Sequence, residues 1–147
     1  IVMKVVLQRV NYACVEVNNK IIGEINCGLL VFVSVSNNYD ESKLDWMCKK
    51  VLNLRLWESE KKNFDRCIKD INGEILVVSQ FTLHGIVEGN KPNFKNSAQF
   101  EKAKTIYEQF IEKLRKESSL KIQTGEFGAM MKVKLENDGP VTIILEK

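Results

Sequence analysis

Glu74-Ile75-Leu76-Val77-Val78-Ser79-Gln80-Phe81-Thr82-Leu83 is the stretch on which the reading of this chain turns. Ile75 to Val78 is an unbroken apolar, partly β-branched run directly after the turn signal Asn72-Gly73, which predicts a buried strand. The strand then ends on three polar side chains, Ser79, Gln80 and Thr82, set about Phe81. A buried strand that turns polar at its far end offers hydroxyls, an amide and backbone N–H groups at a sheet rim, where sites are commonly built. The same pattern fits a strand that becomes hydrophilic simply because it meets water.

Working outward towards the N-terminus, Gly28 to Val35 is apolar on both faces and reads as a central strand covered on both sides. Lys4 to Val10 is a β-branched strand, with Ala13 to Val17 as its partner after a turn at Asn11-Tyr12. Asn18-Asn19 then makes a hairpin to Ile21-Ile22. Asp40 is a candidate N-cap for a first helix, whose buried face is Leu44, Met47, Cys48, Val51 and Leu52. Leu54 to Trp57 is short and strand-like.

Towards the C-terminus, His84 to Ser97 carries Gly85, Gly89-Asn90 and Lys91-Pro92 and reads as loop. Asn96 or Ser97 can cap a second helix reaching to about Lys116, with Ala103, Ile106, Tyr107, Phe110, Ile111 and Leu114 on its apolar face. Leu120 to Thr124 is a strand and Gly125 to Gly128 a tight turn. Met131, Val133 and Leu135 alternate with charged residues in a half-buried strand. Gly139-Pro140 makes the last corner, and Val141 to Leu145 closes the fold. The order predicts an α+β protein: a largely antiparallel or mixed, barrel-like sheet with two main helices packed on it, one domain over residues 1–147.

At 44% hydrophobic and 28% charged residues, the chain has the make-up of a globular domain and not of a disordered one. No apolar run approaches the ~18 residues of a membrane-spanning helix. No charged-then-apolar leader opens the chain; Met3 is a candidate natural start. Cys14, Cys27, Cys48 and Cys67 are widely spaced and accompany a single histidine, which argues against zinc and for four reduced thiols in a cytoplasmic protein. Lys and Arg exceed Asp and Glu by three (22 against 19), a surplus that permits contact with a polyanion without demanding it.

The familiar catalytic constellations are missing. His84 lies two residues from Thr82, so a Thr-His pair would form if the strand continued, but no carboxylate is positioned to orient the imidazole. There is no phosphate loop, dinucleotide fingerprint or metal-ligand cluster, and no cofactor is expected. An enzyme built from these residues would rely on positioned backbone donors and on its substrate. Asn137-Asp138-Gly139-Pro140 suits an ordinary corner, since Asn, Asp and Gly tolerate positive φ.

Six segments, in order along nearly the whole chain, resemble the D-aminoacyl-tRNA deacylases, the family also called D-tyrosyl-tRNA deacylases. They are Lys4 to Val10, Leu52 to Leu56, Ser79-Gln80-Phe81-Thr82-Leu83, Gly89 to Phe94, Gly125 to Gly128, and Asn137-Asp138-Gly139-Pro140-Val141-Thr142-Ile143. The resemblance implies a homodimeric, cytoplasmic hydrolase that binds aminoacyl-tRNA and cleaves the ester to a D-amino acid. It extends to glycine, including glycine mischarged on the alanine tRNA. Ser79, Gln80, Phe81 and Thr82 would line the catalytic pocket at the subunit interface. Phe127, Ala129 and Met131 match the segment lining the adenine and aminoacyl pocket. Gly139 and Pro140, joined by a cis peptide, would reach into the partner subunit's pocket and exclude an L side chain, giving chiral proofreading without contact to the D side chain.

Two mechanisms fit that resemblance: attack by Thr82, or oxyanion stabilisation by N–H groups near Phe81 and Thr82 while the ribose 2′-hydroxyl helps activate water. The second is preferred because no base is placed to take the Thr82 proton. Residues 84–88 depart from the family pattern. Glu88 stands where relatives carry a positive side chain, leaving Lys91, Lys95, Lys132 and Lys134 as candidate phosphate contacts. A non-catalytic RNA-binding dimer and a small-ester hydrolase using Thr82 and His84 are the competing readings.

Overall fold

The computed structural model describes residues 2–147. Its spine is β1 (Met3–Val17), whose inward side chains Met3, Val5 and Leu7 are fully buried. The chain returns along one edge of β1 as β2 (Lys20–Ile25) and β3 (Gly28–Val35). Ala13 pairs with Ile25 and Val10 with Gly28, so β2 lies on the second half of β1 and β3 on the first. The other edge of β1 is taken, over nearly its whole length, by β8 (Lys132–Glu146).

The expected turn at Asn11-Tyr12 is instead an irregularity within one continuous 15-residue strand, where the β1–β8 register shifts. The polar side chains that suggested a turn bond across the sheet: the Asn11 amide donates to Glu136 at 2.9 Å and the Tyr12 hydroxyl to Glu24 at 2.5 Å. Likewise the two strands expected either side of Gly139-Pro140 are one strand, β8, with the corner inside it. The Gly139-Pro140 peptide is cis and Gly139 has φ +123°.

β4 (Glu74–Ser79) runs parallel to β3, and β7 (Ile122–Thr124) parallel to β4, so the sheet is mixed. The β2 half of the sheet lies over β4 and β7. The approach is close: a Cβ on Gly23 would sit 2.3 Å from the Thr124 carbonyl oxygen, so only glycine fits. The overlap divides the interior. Leu76 and Val78 join Val10, Ala13, Val15, Ile25 and Leu30 inside the overlap, while Ile75 and Val77 face the helices. That is why Ile75 to Val78 is apolar without alternation.

α1 (Leu44–Asn53) follows a 3-10 turn over Glu41–Lys43, and the Asp40 carboxylate caps that turn by accepting from the Ser42 N–H. All five residues expected on its apolar face are buried. α2 (Phe100–Glu117) begins later than Asn96 or Ser97 because those residues are tied to the sheet. Asn96 O accepts from Asn37 N, Ala98 N donates to Val35 O, and Ser97 bridges to Ser36. The Tyr107 hydroxyl donates to Val77 O at 2.9 Å, hitching α2 to β4. Leu54 to Trp57 forms no strand, only a single bridge from Trp57 to Arg66. Residues 84–97, expected as loop, contain a small hairpin, β5 (Ile86–Glu88) and β6 (Lys91–Asn93). Cys14, Cys48 and Cys67 are buried and Cys27 is exposed, all with free thiols. No helix among the described residues is long and apolar enough to cross a membrane.

Candidate active site

Pairing between β3 and β4 ends at Val33 and Ser79, and the Gln80 N–H makes one last bond to Val33 O at 2.8 Å. The chain then tightens into a 3-10 turn over Phe81–His84, so the strand does not continue through Thr82. The first bond of that turn is Leu83 N–H to Gln80 O at 3.1 Å. The N–H groups of Phe81 and Thr82 precede it, and the first donors of any helical turn have no partner within it. Both residues are exposed.

Beneath them opens a cavity of about 640 Å³. The ends of β3 and β4, the first turns of α2 and the segment from Phe127 to Met131 enclose it. One wall is aromatic: Phe100 and Phe127 meet edge to face with centroids 5.0 Å apart, and Tyr107 lies 5.5 Å from Phe127. Ser79, Gln80, Phe81, Thr82, Phe127, Ala129 and Met131 all line this cavity. Gly139 and Pro140 do not; they are exposed on β8, outside the cavity of their own chain.

Thr82 has no base beside it. Its hydroxyl oxygen accepts from the Gln80 side-chain amide at 2.5 Å. His84 is turned away by the 3-10 geometry and is only 6% exposed, its Nδ1 lying 2.5 Å from the Ser34 hydroxyl. Burial, and next the nearby Lys4 charge, push the His84 pKa below its ordinary value. The Thr-His pair imagined from the sequence is therefore not formed. Among the described residues, no three His, Cys, Asp or Glu side chains gather as a metal-ligand set.

The corner at Asn137–Thr142 is held by side chains. Asn137 accepts from Val141 N–H at 3.2 Å and donates to the Thr142 hydroxyl at 3.1 Å. Arg9 donates through Nε to the Asp138 carbonyl at 3.2 Å, pairs with the Asp138 carboxylate at 3.1 Å, and reaches Leu56 O through Nη1 at 2.5 Å.

A family model described as D-Tyr-tRNA(Tyr) deacylase matches residues 6–146, a span that contains both the rim and the corner. The chain belongs to the D-Tyr-tRNA(Tyr) deacylase family. It is 52% identical over 145 residues to the D-aminoacyl-tRNA deacylase of Thermosipho melanesiensis, covering 98% of this chain and 97% of that one. It is 50% identical over 149 residues to the D-aminoacyl-tRNA deacylase of Trichodesmium erythraeum, covering 99% and 97%. A solved structure of the c-Myc DNA unwinding element binding protein superposes with a TM-score of 0.92 at 43% identity, covering 98% of each chain.

Glu88 is not a bare negative charge. It pairs with Lys95 at 3.4 Å and accepts from the Asn93 amide at 3.4 Å, within the β5–β6 hairpin. Lys134 is similarly occupied by Glu16 at 3.0 Å. Among the described residues, Lys91 and Lys132 take part in no ion pair, which makes them the freer of the four lysines singled out from the sequence. Sequence reading overlooked Phe100 and Tyr107 as cavity wall, Arg9 as the corner's anchor, and Ser34 as His84's partner. A signal existed for two of these: Arg9 is a charge inside a β-branched strand, and Ser34 a hydroxyl inside an apolar one.

Proposed function

We propose that this chain hydrolyses the ester between a D-amino acid and the terminal adenosine of tRNA, acting as a cytoplasmic homodimer. The observation that carries the reading is the cavity whose rim carries Phe81 and Thr82, at the start of a 3-10 turn, above an aromatic wall. The adenine and aminoacyl groups occupy the space beside Phe127, Ala129 and Met131. The ester carbonyl faces the rim amides, which stabilise negative charge as it develops on that oxygen. Water attacks with help from the ribose 2′-hydroxyl, so no protein base is required. This route is supported by the engagement of Thr82 with Gln80 and by the burial of His84 against Ser34.

Handedness is read by Gly139 and Pro140 of a second copy, whose backbone carbonyls hold the substrate's amino group and leave no room for an L side chain. Glycine, with no side chain to reject, is also a substrate, including when mischarged on the alanine tRNA. Two features support a second copy. The corner lies outside its own cavity, and β8 pairs only with β1 among the described residues while exposing Ile144 at 66%. A long strand with one free edge and apolar side chains is a surface that another subunit would cover.

The test is to incubate the purified protein with D-tyrosyl-tRNA and L-tyrosyl-tRNA and follow free tyrosine. Stereoselective release of the D-amino acid is expected. Protection of either ester without release would instead identify a non-catalytic RNA binder.

A further inference from the structure

We propose that His84, acting through Ser34, is a positioning residue for the rim amides, an inference that rests on the deacylase reading above. His84 is the chain's single histidine, and it is buried where an imidazole costs free energy unless bonded. It does not line the cavity, so it neither binds substrate nor serves as a base. Its bonded partner is the Ser34 hydroxyl on β3, with no carboxylate at that ring nitrogen.

Ser34 touches both ends of the turn. Its Oγ lies 2.5 Å from His84 Nδ1, at the end of the Phe81–His84 turn, and 3.3 Å from the Phe81 carbonyl oxygen at the start. A hydroxyl has one proton to give and two acceptor positions, so it can serve two neighbours at once. The Ser97 hydroxyl reaches the same Phe81 oxygen at 3.1 Å. That carbonyl shares a planar trans peptide with the Thr82 N–H, which therefore points the opposite way. Whatever fixes the Phe81 oxygen aims the Thr82 donor. The Ser34–His84 pair thus clamps the turn to β3 and sets the direction of an amide on which the rate depends.

The consequence is specific. Loss of the clamp loosens donors that act in the transition state, while the aromatic wall and the Gly139-Pro140 corner are untouched. It lowers kcat and spares both KM and the preference for D over L. The experiment compares His84→Leu, His84→Asn, Ser34→Ala and the Ser34→Ala/His84→Leu double variant on D-tyrosyl-tRNA and L-tyrosyl-tRNA, with thermal unfolding of each. His84→Leu is expected to lower kcat about tenfold, less than the ~100-fold of deleting an oxyanion donor outright. The double variant loses no more than the worse single, because both act through one contact. His84→Asn, whose amide can stand in for Nδ1, recovers to within about threefold of wild type.

A folded His84→Leu protein with unchanged kcat, or losses that multiply in the double variant, would overturn the assignment. Should His84→Leu fail to fold, Ser34→Ala and His84→Asn decide together, since Ser34 also borders the cavity: wild-type kcat in Ser34→Ala, or a loss in His84→Asn as large as in Ser34→Ala, sinks the inference. Wild-type protein inactive on D-tyrosyl-tRNA would remove the deacylase reading itself, a different failure.

Discussion

Replacing Thr82 by alanine separates the two ways in which this rim could break an ester. The Thr82 hydroxyl is exposed and makes one side-chain contact, accepting from the Gln80 amide at 2.5 Å. Losing one such bond is worth ~0.5–1.5 kcal/mol, since water replaces it. If all of that were felt in the transition state, the rate would fall roughly two- to tenfold. A nucleophile behaves differently: removing one costs on the order of 10⁴-fold or more, because the covalent route disappears. The two expectations are separated by orders of magnitude. The assay is single-turnover release of labelled D-tyrosine from D-tyrosyl-tRNA at saturating enzyme, with tRNA binding followed separately. Thr82→Ala should retain at least about a tenth of the wild-type rate. A loss beyond about a thousandfold with binding intact would refute the amide-and-water mechanism and make Thr82 the attacking group.

Further outcomes follow from other parts of the structure. Arg9→Met should cost about 2–3 kcal/mol by urea denaturation, because Leu56 O and Asp138 lose a charged donor in a largely buried setting; the half-exposed Asp138 carboxylate adds little. Gly23→Ala should lower the melting temperature by about 6–12 °C, since its Cβ would press on strand backbone and overpacking costs about 3 kcal/mol. His84 has a folded pKa depressed below 6.5, chiefly by burial, with Lys4 adding to the effect and Glu146 opposing it. The unfolded chain therefore takes up more protons on acidification, and stability should fall as pH drops from about 7 towards 5, a slope that His84→Asn removes. Mixing Ala129→Trp, which fills the cavity, with Gly139→Val, which distorts the corner, should regain about a quarter of wild-type D-selective hydrolysis if two subunits share each site. No recovery from a mixture that demonstrably exchanges subunits would argue for a site within one chain.

How far the fold could be read from the sequence depended on whether a residue's role was local. Helix α1 was legible to the residue on its buried face, since five apolar positions at helical spacing have one solution. Val31 and Val77, in strands apolar on both faces, were legible as sheet centre for the same reason. Asn11-Tyr12 misled because a polar pair that makes a turn in one context makes an irregular, sheet-bonded stretch in another, and only the partners Glu136 and Glu24 decide which. The start of α2 was missed on similar grounds: Asn96 and Ser97 are good caps, but their backbone is already committed to the end of β3. In both cases the deciding bond joins residues far apart in the chain, where local propensity carries no information.

The site divides along the same line. Ser79 to Thr82 could be read as a polar rim because strand and turn are contiguous, and Phe127, Ala129 and Met131 followed from resemblance alone. What stayed hidden is the support beneath them. Ser34 and His84 are fifty positions apart and each has an ordinary explanation, a small residue in a strand and a loop histidine. Only their juxtaposition changes the reading, turning a candidate base into a buried anchor that is unable to reach Thr82. Gly139 and Pro140 pose the opposite problem. Their segment is among the most legible in the chain, yet they lie outside the cavity of their own chain and are held there by Arg9 from β1. A corner so firmly tied to the fold, on a strand whose outer edge has no partner among the described residues, is open to a contact from outside the chain. On the dimeric reading proposed above, that contact is the cavity of a second copy, which no pattern within one chain could record.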